Sequence, residues 1–330
     1  MIQHPAVLAL IASSLIISGM MLYACRYGTQ ILKKWDARSG SELQLYLERR
    51  TYLISALVSY ALIFQIFSLF LFIFTADELH GNFTGAMCAA GTLNLNGYGY
   101  PALGLKVLNC ILAGVWLIIN HVDTRGYDYP LIKVKYALLA ILAPLSVVES
   151  TALFGFFGRL KADVITSCCG SLFGADSPGI AGEVVSLPHG PMEAAFAASM
   201  VFTLLSGIYF YLKGRGGYIF SALSIVTFIV SAVSLVSFIC LYYYELPTHH
   251  CPFCILQREY GYAGYILYAA LLAGVVSGAG MGALMPFRGR ASLGLVIPAV
   301  QRKLAAAAVT AYLIFTVTVL WRIMFSSLRL

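Results

Sequence analysis

The sequence predicts an all-α fold, a polytopic membrane helix bundle with about eight transmembrane helices. Two observations carry that prediction. The 330-residue chain is 60% hydrophobic and only 11% charged, whereas an average soluble domain has about 25% charged residues. Its mean hydropathy is +0.84, and apolar runs of roughly twenty residues, long enough to cross a hydrocarbon core of about 30 Å, recur along its whole length. A single integral membrane domain, 1–330, is expected, with the lipid bilayer as its first partner.

The runs lie near 6–25, 52–75, 102–120, 135–157, 193–212, 218–243, 255–280 and 304–323. The first differs from a secretory signal, because Met1 to Pro5 carries no basic residue while Arg26, Lys33, Lys34 and Arg38 follow the apolar stretch. A signal peptide has the opposite polarity. We therefore expect a retained helix with its N-terminus outside, and an even number of spans puts the C-terminus outside as well. Alternation makes four connections cytoplasmic: Arg26 to Arg50, the one with Arg125, Lys133 and Lys135, the Lys213-Gly214-Arg215 turn, and Arg288 to Lys303. The other three, 76–101, 158–192 and 244–254, hold only Arg159 and Lys161. This is the positive-inside asymmetry. It accounts for the formal net charge of +7 without a nucleic-acid groove. Within the seventh run, Gly274-x-x-x-Gly278-x-x-x-Gly282 is a face for close helix packing. Residues 284–303 read as a connector lying in the membrane interface.

Topology sorts the eight cysteines. Cys25, Cys110 and Cys240 fall inside apolar runs, where cysteine behaves as a small hydrophobe. Cys88, Cys168, Cys169, Cys251 and Cys254 fall in or beside the three outer loops. In a bacterial inner membrane that face is the periplasmic one, which is kept oxidising. The loops around Cys88 and around Cys168 and Cys169 are apolar and contain glycine, as suits segments that fold back against a bundle.

The strongest local signal is His249-His250-Cys251-Pro252-Phe253-Cys254-Ile255-Leu256-Gln257-Arg258. The two cysteines are expected at the first turn of the seventh helix, where free N–H groups and the helix dipole favour a thiolate. Proline between them suits that turn. Ionisable residues within spans are costly and become functional candidates. Arg258, Lys106 and Glu149 qualify, each in the outer half of its helix. Arg258 is expected as a buried guanidinium beside the sulfurs, or else as a snorkelling side chain. Lys106 and Glu149 either contribute to a site or neutralise each other. Gln65, Asn109 and Gln257 are expected as interhelical hydrogen-bond partners. All six histidines sit in loops or at helix ends, which excludes the haem ligation of a membrane cytochrome b.

The run Cys251-Pro252-Phe253-Cys254-Ile255-Leu256-Gln257-Arg258, preceded by Leu241-Tyr242-Tyr243-Tyr244, resembles the bacterial disulfide-forming quinone reductases of the DsbB type. It is also distantly similar to the vitamin K epoxide reductase family. The resemblance covers about twenty residues. It implies that Cys251 and Cys254 exchange electrons with a bound quinone and that Arg258 helps to hold it. It also implies a second cysteine pair that serves a soluble thioredoxin-like partner, here Cys88 with Cys168 or Cys169. Those families are four-helix bundles, so about eight spans is a departure. The function expected is thus a membrane thiol–disulfide oxidoreductase linked to quinone, with His249 or His250 as proton carrier and Gln257, Lys106 and Glu149 near the cofactor. Two alternatives remain open at this point. One is a copper- or zinc-binding membrane protein or transporter using Cys88, Cys168, Cys169, His249, His250, Cys251 and Cys254. The other is a non-catalytic subunit of a membrane complex, its outer disulfides only stapling loops.

Overall fold

The computed structural model describes residues 3–36, 39–161, 164–166, 172–174 and 180–329. Among them there is no strand. Eight helices are long and apolar enough to cross a membrane, so the chain is an all-α integral membrane protein. In chain order the α-helices are α1 Pro5–Lys34, α2 Glu42–Glu78, α3 Ala89–Leu93, α4 Gly99–Asp123, α5 Ile132–Gly158, α6 Ile180–Val185, α7 His189–Lys213, α8 Gly217–Ser234, α9 Cys240–Tyr244, α10 Ala263–Leu284 and α11 Val296–Phe325. A π-helical turn, Leu235–Ile239, joins α8 to α9 into one span. The chain divides into two compact units. The first comprises 1–75, 96–160 and 283–300, and the second 76–95, 161–282 and 301–330.

The first unit is built on α1, most of α2, α4 and α5. Its core packs Met21, Ile31, Leu47, Val58, Trp116 and Leu139. Between spans there is no hydrophobic drive once both are in lipid, so close approach and polar contacts hold them together. Gly28 of α1 lies against the Tyr136 ring of α5, where a Cβ would come within 2.9 Å. The Ser14 hydroxyl donates to the Ser150 hydroxyl at 2.6 Å, and Ser18 donates to the Ser146 carbonyl at 3.0 Å.

Two buried ion pairs then fix α4 against α5. Lys106 Nζ meets Glu149 Oε1 at 2.8 Å and donates to Ser68 at 3.0 Å. The other carboxylate oxygen accepts from Asn109 at 2.6 Å and from Gln65. Further along, Lys135 Nζ meets Asp123 Oδ2 at 2.6 Å, and Asp123 Oδ1 accepts the Leu131 N–H at 2.8 Å. The two pairs have opposite polarity, with the cation on α4 in one and on α5 in the other. Sliding one helix past the other would strand four charges in an apolar medium. Of the two expectations for Lys106 and Glu149, mutual neutralisation is what the geometry delivers, and Gln65 and Asn109 are indeed interhelical donors. Lys135 corrects the sequence reading. It is fully buried and does not add charge to the connection it was assigned to.

The second unit contains α7, the α8–π–α9 span, α10 and most of α11. The glycine face of α10 does what its spacing predicts: Gly274 packs on the Tyr312 ring, Gly278 on Ser224 and Gly282 on Ser221. Tyr312 donates to the Ser224 carbonyl at 2.7 Å. Thr203 and Thr227 share a hydrogen bond of 2.7 Å across α7 and α8. The end of α9 is capped from α11, where the Arg322 guanidinium donates to the Tyr242 and Tyr243 carbonyls at 3.1 and 3.0 Å. Expected boundaries shift in both units: α1 runs on to Lys34 and α2 starts at Glu42, so most of the expected connection Arg26 to Arg50 is helical. Helix α10 begins at Ala263 instead of 255. Helix α11 begins at Val296, inside the expected connector, whose earlier part is two 3-10 turns.

Removing one partner of a buried pair leaves an uncompensated charge, which costs about 3–5 kcal/mol. Lys106→Met is expected to lower the thermal stability of the detergent-solubilised protein by that order. The double variant Lys106→Met/Glu149→Gln should recover much of the loss. Equal melting of the single variant and the parent would remove the pair from the account of the fold.

Candidate functional site: a buried trio of cysteines

In the second unit two irregular segments bring cysteine to the same place. The first lies between α2 and α4. A 3-10 turn, Leu79–Asn82, leads to Gly85 at φ +89°, where a Cβ would sit 2.2 Å from the Thr166 carbonyl oxygen. Only glycine fits there. Thr166 N–H donates to the Thr84 carbonyl at 3.1 Å and its hydroxyl to the Gly91 carbonyl at 3.0 Å, so the segment is tied into the fold on both sides of Cys88. Cys88 itself is extended and immediately precedes α3.

The second segment is 245–262. The chain turns at Glu245, in the left-handed region at φ +54°. It passes through two 3-10 turns, Cys254–Leu256 and Arg258–Tyr260, and then through consecutive left-handed residues, Gly261 and Tyr262. Those two residues end any continuous helix, which is why α10 starts only at Ala263. The expectation that Cys251 and Cys254 open a membrane helix is therefore corrected. They sit in an irregular segment ahead of it, and the helix-dipole argument for their thiolates does not apply. Side chains replace the missing helical bonds. The Tyr244 hydroxyl donates to the Cys251 carbonyl and the Tyr268 hydroxyl to the Pro252 carbonyl. Gly264 lets α10 approach, its Cβ position lying 2.9 Å from the Leu256 side chain.

The result is a cluster of three sulfurs from two segments. Cys88 Sγ and Cys251 Sγ are 3.5 Å apart, a thiol–thiol contact well beyond the about 2.05 Å of a disulfide. Cys254 joins them, all three sulfurs lying within 4.8 Å of one another. Cys88 and Cys251 are fully buried and Cys254 is 5% exposed. Among the described residues, this is the group of cysteine, histidine and carboxylate ligand atoms that close. Cys168 and Cys169 lie outside the described residues.

The two histidines have other partners. The His249 ring stands edge-on to Tyr244, centroids 4.3 Å apart. His250 Nδ1 lies 2.9 Å from the Val236 carbonyl, a group in the π turn, where the backbone register is widened. A carbonyl only accepts, so Nδ1 carries the proton and Nε2 is the basic nitrogen. Burial pushes the His250 imidazole below the ordinary histidine range. Its bond to Val236 opposes that shift, and the nearby His189 adds to it.

Arg258 differs from expectation. It is exposed, not buried, because it opens the second 3-10 turn, ahead of α10, instead of lying one turn down a helix. Gln257 is not an interhelical partner either. Its amide bridges Asp77 Oδ1 at 3.3 Å and the Met87 carbonyl at 2.9 Å. Lys106 and Glu149 belong to the first unit and serve each other. Sequence reasoning missed Asp77, Tyr244 and Tyr268. A carboxylate at the end of the second apolar run was a readable signal for Asp77; the two tyrosines carried none that separates them from their neighbours.

An apolar cavity of about 340 Å³ lies between α7, the end of the sixth span and α11, lined by Phe196, Met200, Leu204, Phe238 and Leu320 among others. The Tyr242 hydroxyl donates to the Glu193 carboxylate at 3.3 Å within its wall. No protein-family model, curated protein or solved structure matches the chain.

The His250 environment sets a pH dependence. An unfolded imidazole takes its proton near pH 6.5, whereas the folded one resists it. Stability from this group is therefore complete above about pH 6.5 and is lost as the pH falls below it. Acidification below about pH 6.5 should lower the melting temperature of the purified protein, and His250→Gln should flatten that dependence. An unchanged slope in the variant would show that another group titrates.

Proposed function

We propose that this protein is a membrane thiol–disulfide oxidoreductase. Its working pair, Cys251 and Cys254, exchanges with Cys88 and passes electrons to a quinone at the periplasmic face of a bacterial inner membrane. The observation that carries the proposal is the 3.5 Å contact between Cys88 and Cys251, with Cys254 inside the same 4.8 Å group. Cys251 thus has two possible disulfide partners within a small movement, which is what a relay requires and a single structural staple does not.

The exchange step balances within the chain. With Cys251 and Cys254 joined, the Cys88 thiolate attacks Cys251 Sγ. The Cys88–Cys251 bond forms, the Cys251–Cys254 bond breaks, and Cys254 leaves as a thiolate with the electron pair. No net oxidation occurs. Closing the Cys251–Cys254 dithiol releases two electrons and two protons. His250 accepts a proton at Nε2, its Nδ1 being committed to Val236. A quinone, when bound, supplies the two-electron, two-proton acceptor. Support for that class comes from the short resemblance around Arg258 and from the 340 Å³ cavity, a size within the usual range for small-molecule sites. Tyr242 and Glu193 would hold its polar end, in place of Arg258, Lys106 and Glu149. A thioredoxin-like protein is the proposed thiol donor.

The same trio favours a second possibility, a soft metal ion. Metal–sulfur bonds of about 2.3 Å place the sulfurs of a trigonal site about 4 Å apart, close to the spacing here. Copper or zinc would then be held by Cys88, Cys251 and Cys254 without either histidine.

Serine variants separate these. In Cys254→Ser, mild oxidation with diamide should trap a Cys88–Cys251 disulfide, visible by non-reducing peptide mapping. In Cys88→Ser it should give Cys251–Cys254, and added quinone should reoxidise that pair. Stoichiometric copper or zinc in the purified protein, lost on Cys251→Ser, would replace the redox proposal with the metal one. If no bridge forms and Cys251→Ser leaves the cell's disulfide formation intact, the protein is a non-catalytic subunit.

A further inference from the structure

We infer that Asp77 and Gln257 form a clasp that sets the distance between Cys88 and Cys251, making them positioning residues of the proposed exchange. This inference rests on the relay proposed above. Asp77, at the end of α2, has one carboxylate oxygen facing both cysteine segments. Asp77 Oδ1 accepts the Ala89 N–H at 3.0 Å and the Gln257 side-chain amide at 3.3 Å. The same Gln257 nitrogen gives its other hydrogen to the Met87 carbonyl at 2.9 Å. Met87 and Ala89 are the two neighbours of Cys88 in the chain, and Gln257 follows Cys254 by less than one helical turn. Both peptide groups flanking Cys88 are therefore fastened to the segment that carries the CxxC pair, the Met87 carbonyl directly by the Gln257 amide and the Ala89 N–H through the Asp77 carboxylate.

This bridge joins the two segments beside the sulfurs through side-chain hydrogen bonds. The Gln257 backbone is itself pinned, its N–H donating to the Cys254 carbonyl at 3.0 Å and its carbonyl accepting from Tyr260 and Tyr262, each at 3.2 Å. The amide thus acts from a fixed base. Asp77 is similarly anchored, because its backbone carbonyl meets the His80 ring. Thiol–disulfide exchange needs the attacking sulfur near the bond it breaks, and small misplacements of reacting groups cost up to about a hundredfold in rate. A clasp of two side chains that reads both segments at once is suited to hold that geometry where the backbone is irregular.

The test uses the full-length purified protein in detergent. In the Cys254→Ser background, the rate of Cys88–Cys251 bridging by diamide is followed with and without Asp77→Ala or Gln257→Ala. Each is expected to slow bridging by about tenfold to a hundredfold. Asp77→Asn, which keeps the accepting oxygen, should retain most of the rate. Two controls accompany it: Cys251–Cys254 closure in a Cys88→Ser background, a reaction inside one segment that the clasp variants should leave nearly unchanged, and a melting curve, which shows whether each variant is folded. If Asp77→Ala does not fold, Gln257→Ala carries the test, since its side chain is only partly buried and makes these two bonds. Bridging at the parent rate in folded clasp variants overturns the clasp while leaving the relay intact. Absence of any Cys88–Cys251 bridge in Cys254→Ser alone overturns the relay itself.

Discussion

Backbone that leaves the helical path at the edge of an apolar bundle must find its hydrogen bonds in side chains, and the second unit depends on that constraint. An unsatisfied peptide group away from water costs several kcal/mol. Two irregular segments, around Cys88 and around Cys251, would each carry several such groups. Thr166, Asp77, Gln257, Tyr244 and Tyr268 take them up. The sulfurs meet because these side chains leave little freedom to the chain between them. In a regular helix the same cysteines would be spaced by the helix alone and would have no reason to approach a third.

The first unit meets the same shortage of water in a different way. There the backbone is helical and self-satisfied, so buried polar groups are available for register. The pairs Lys106–Glu149 and Asp123–Lys135 are separated by about 25 Å along α4 and carry opposite polarity. Buried ion pairs are weak arguments for net stability, because desolvation offsets much of their attraction. Their better-supported role is specificity: an alternative register leaves charges without partners. Lys106 and Glu149, candidates for chemistry when seen only as charges in apolar runs, are accounted for by each other and by the amides around them.

The spans were legible because membrane crossing depends on length and composition, which a sequence displays directly. The glycine face of α10 was legible for the same kind of reason, as spacing alone decides what a close neighbour meets. What failed was the reading of where the seventh span starts. Cys251-Pro252-Phe253-Cys254 followed by an apolar run reads as a helix opening, yet Gly261 and Tyr262 adopt left-handed backbone and postpone α10 to Ala263. That one displacement carries Arg258 from an expected interior position to an exposed one and frees Gln257 to reach Met87. The sulfur trio was anticipated in part, through the topology that put Cys88 and the CxxC pair in loops of one class. Of the side chains that hold it, Asp77 was marked by a carboxylate at a span end, whereas tyrosines at span ends are ordinary residues until the segment they bind is known.

Three sulfurs in mutual reach define a different chemical object from a pair. A pair has two states, joined or reduced. In a trio the disulfide can also migrate, and the sulfur it leaves behind is determined by which neighbour stands nearer. Cys251 lies at the branch point, since it shares a segment with Cys254 and touches Cys88 across 163 residues of sequence. The branch is fixed on one side by the two turns that set Cys254 and on the other by contacts made far from it in the chain. Control over the first arm is local and comes with the CxxC segment. Control over the second arm must come from tertiary structure, and the hydrogen bonds to the peptide groups beside Cys88 are where the fold exerts it.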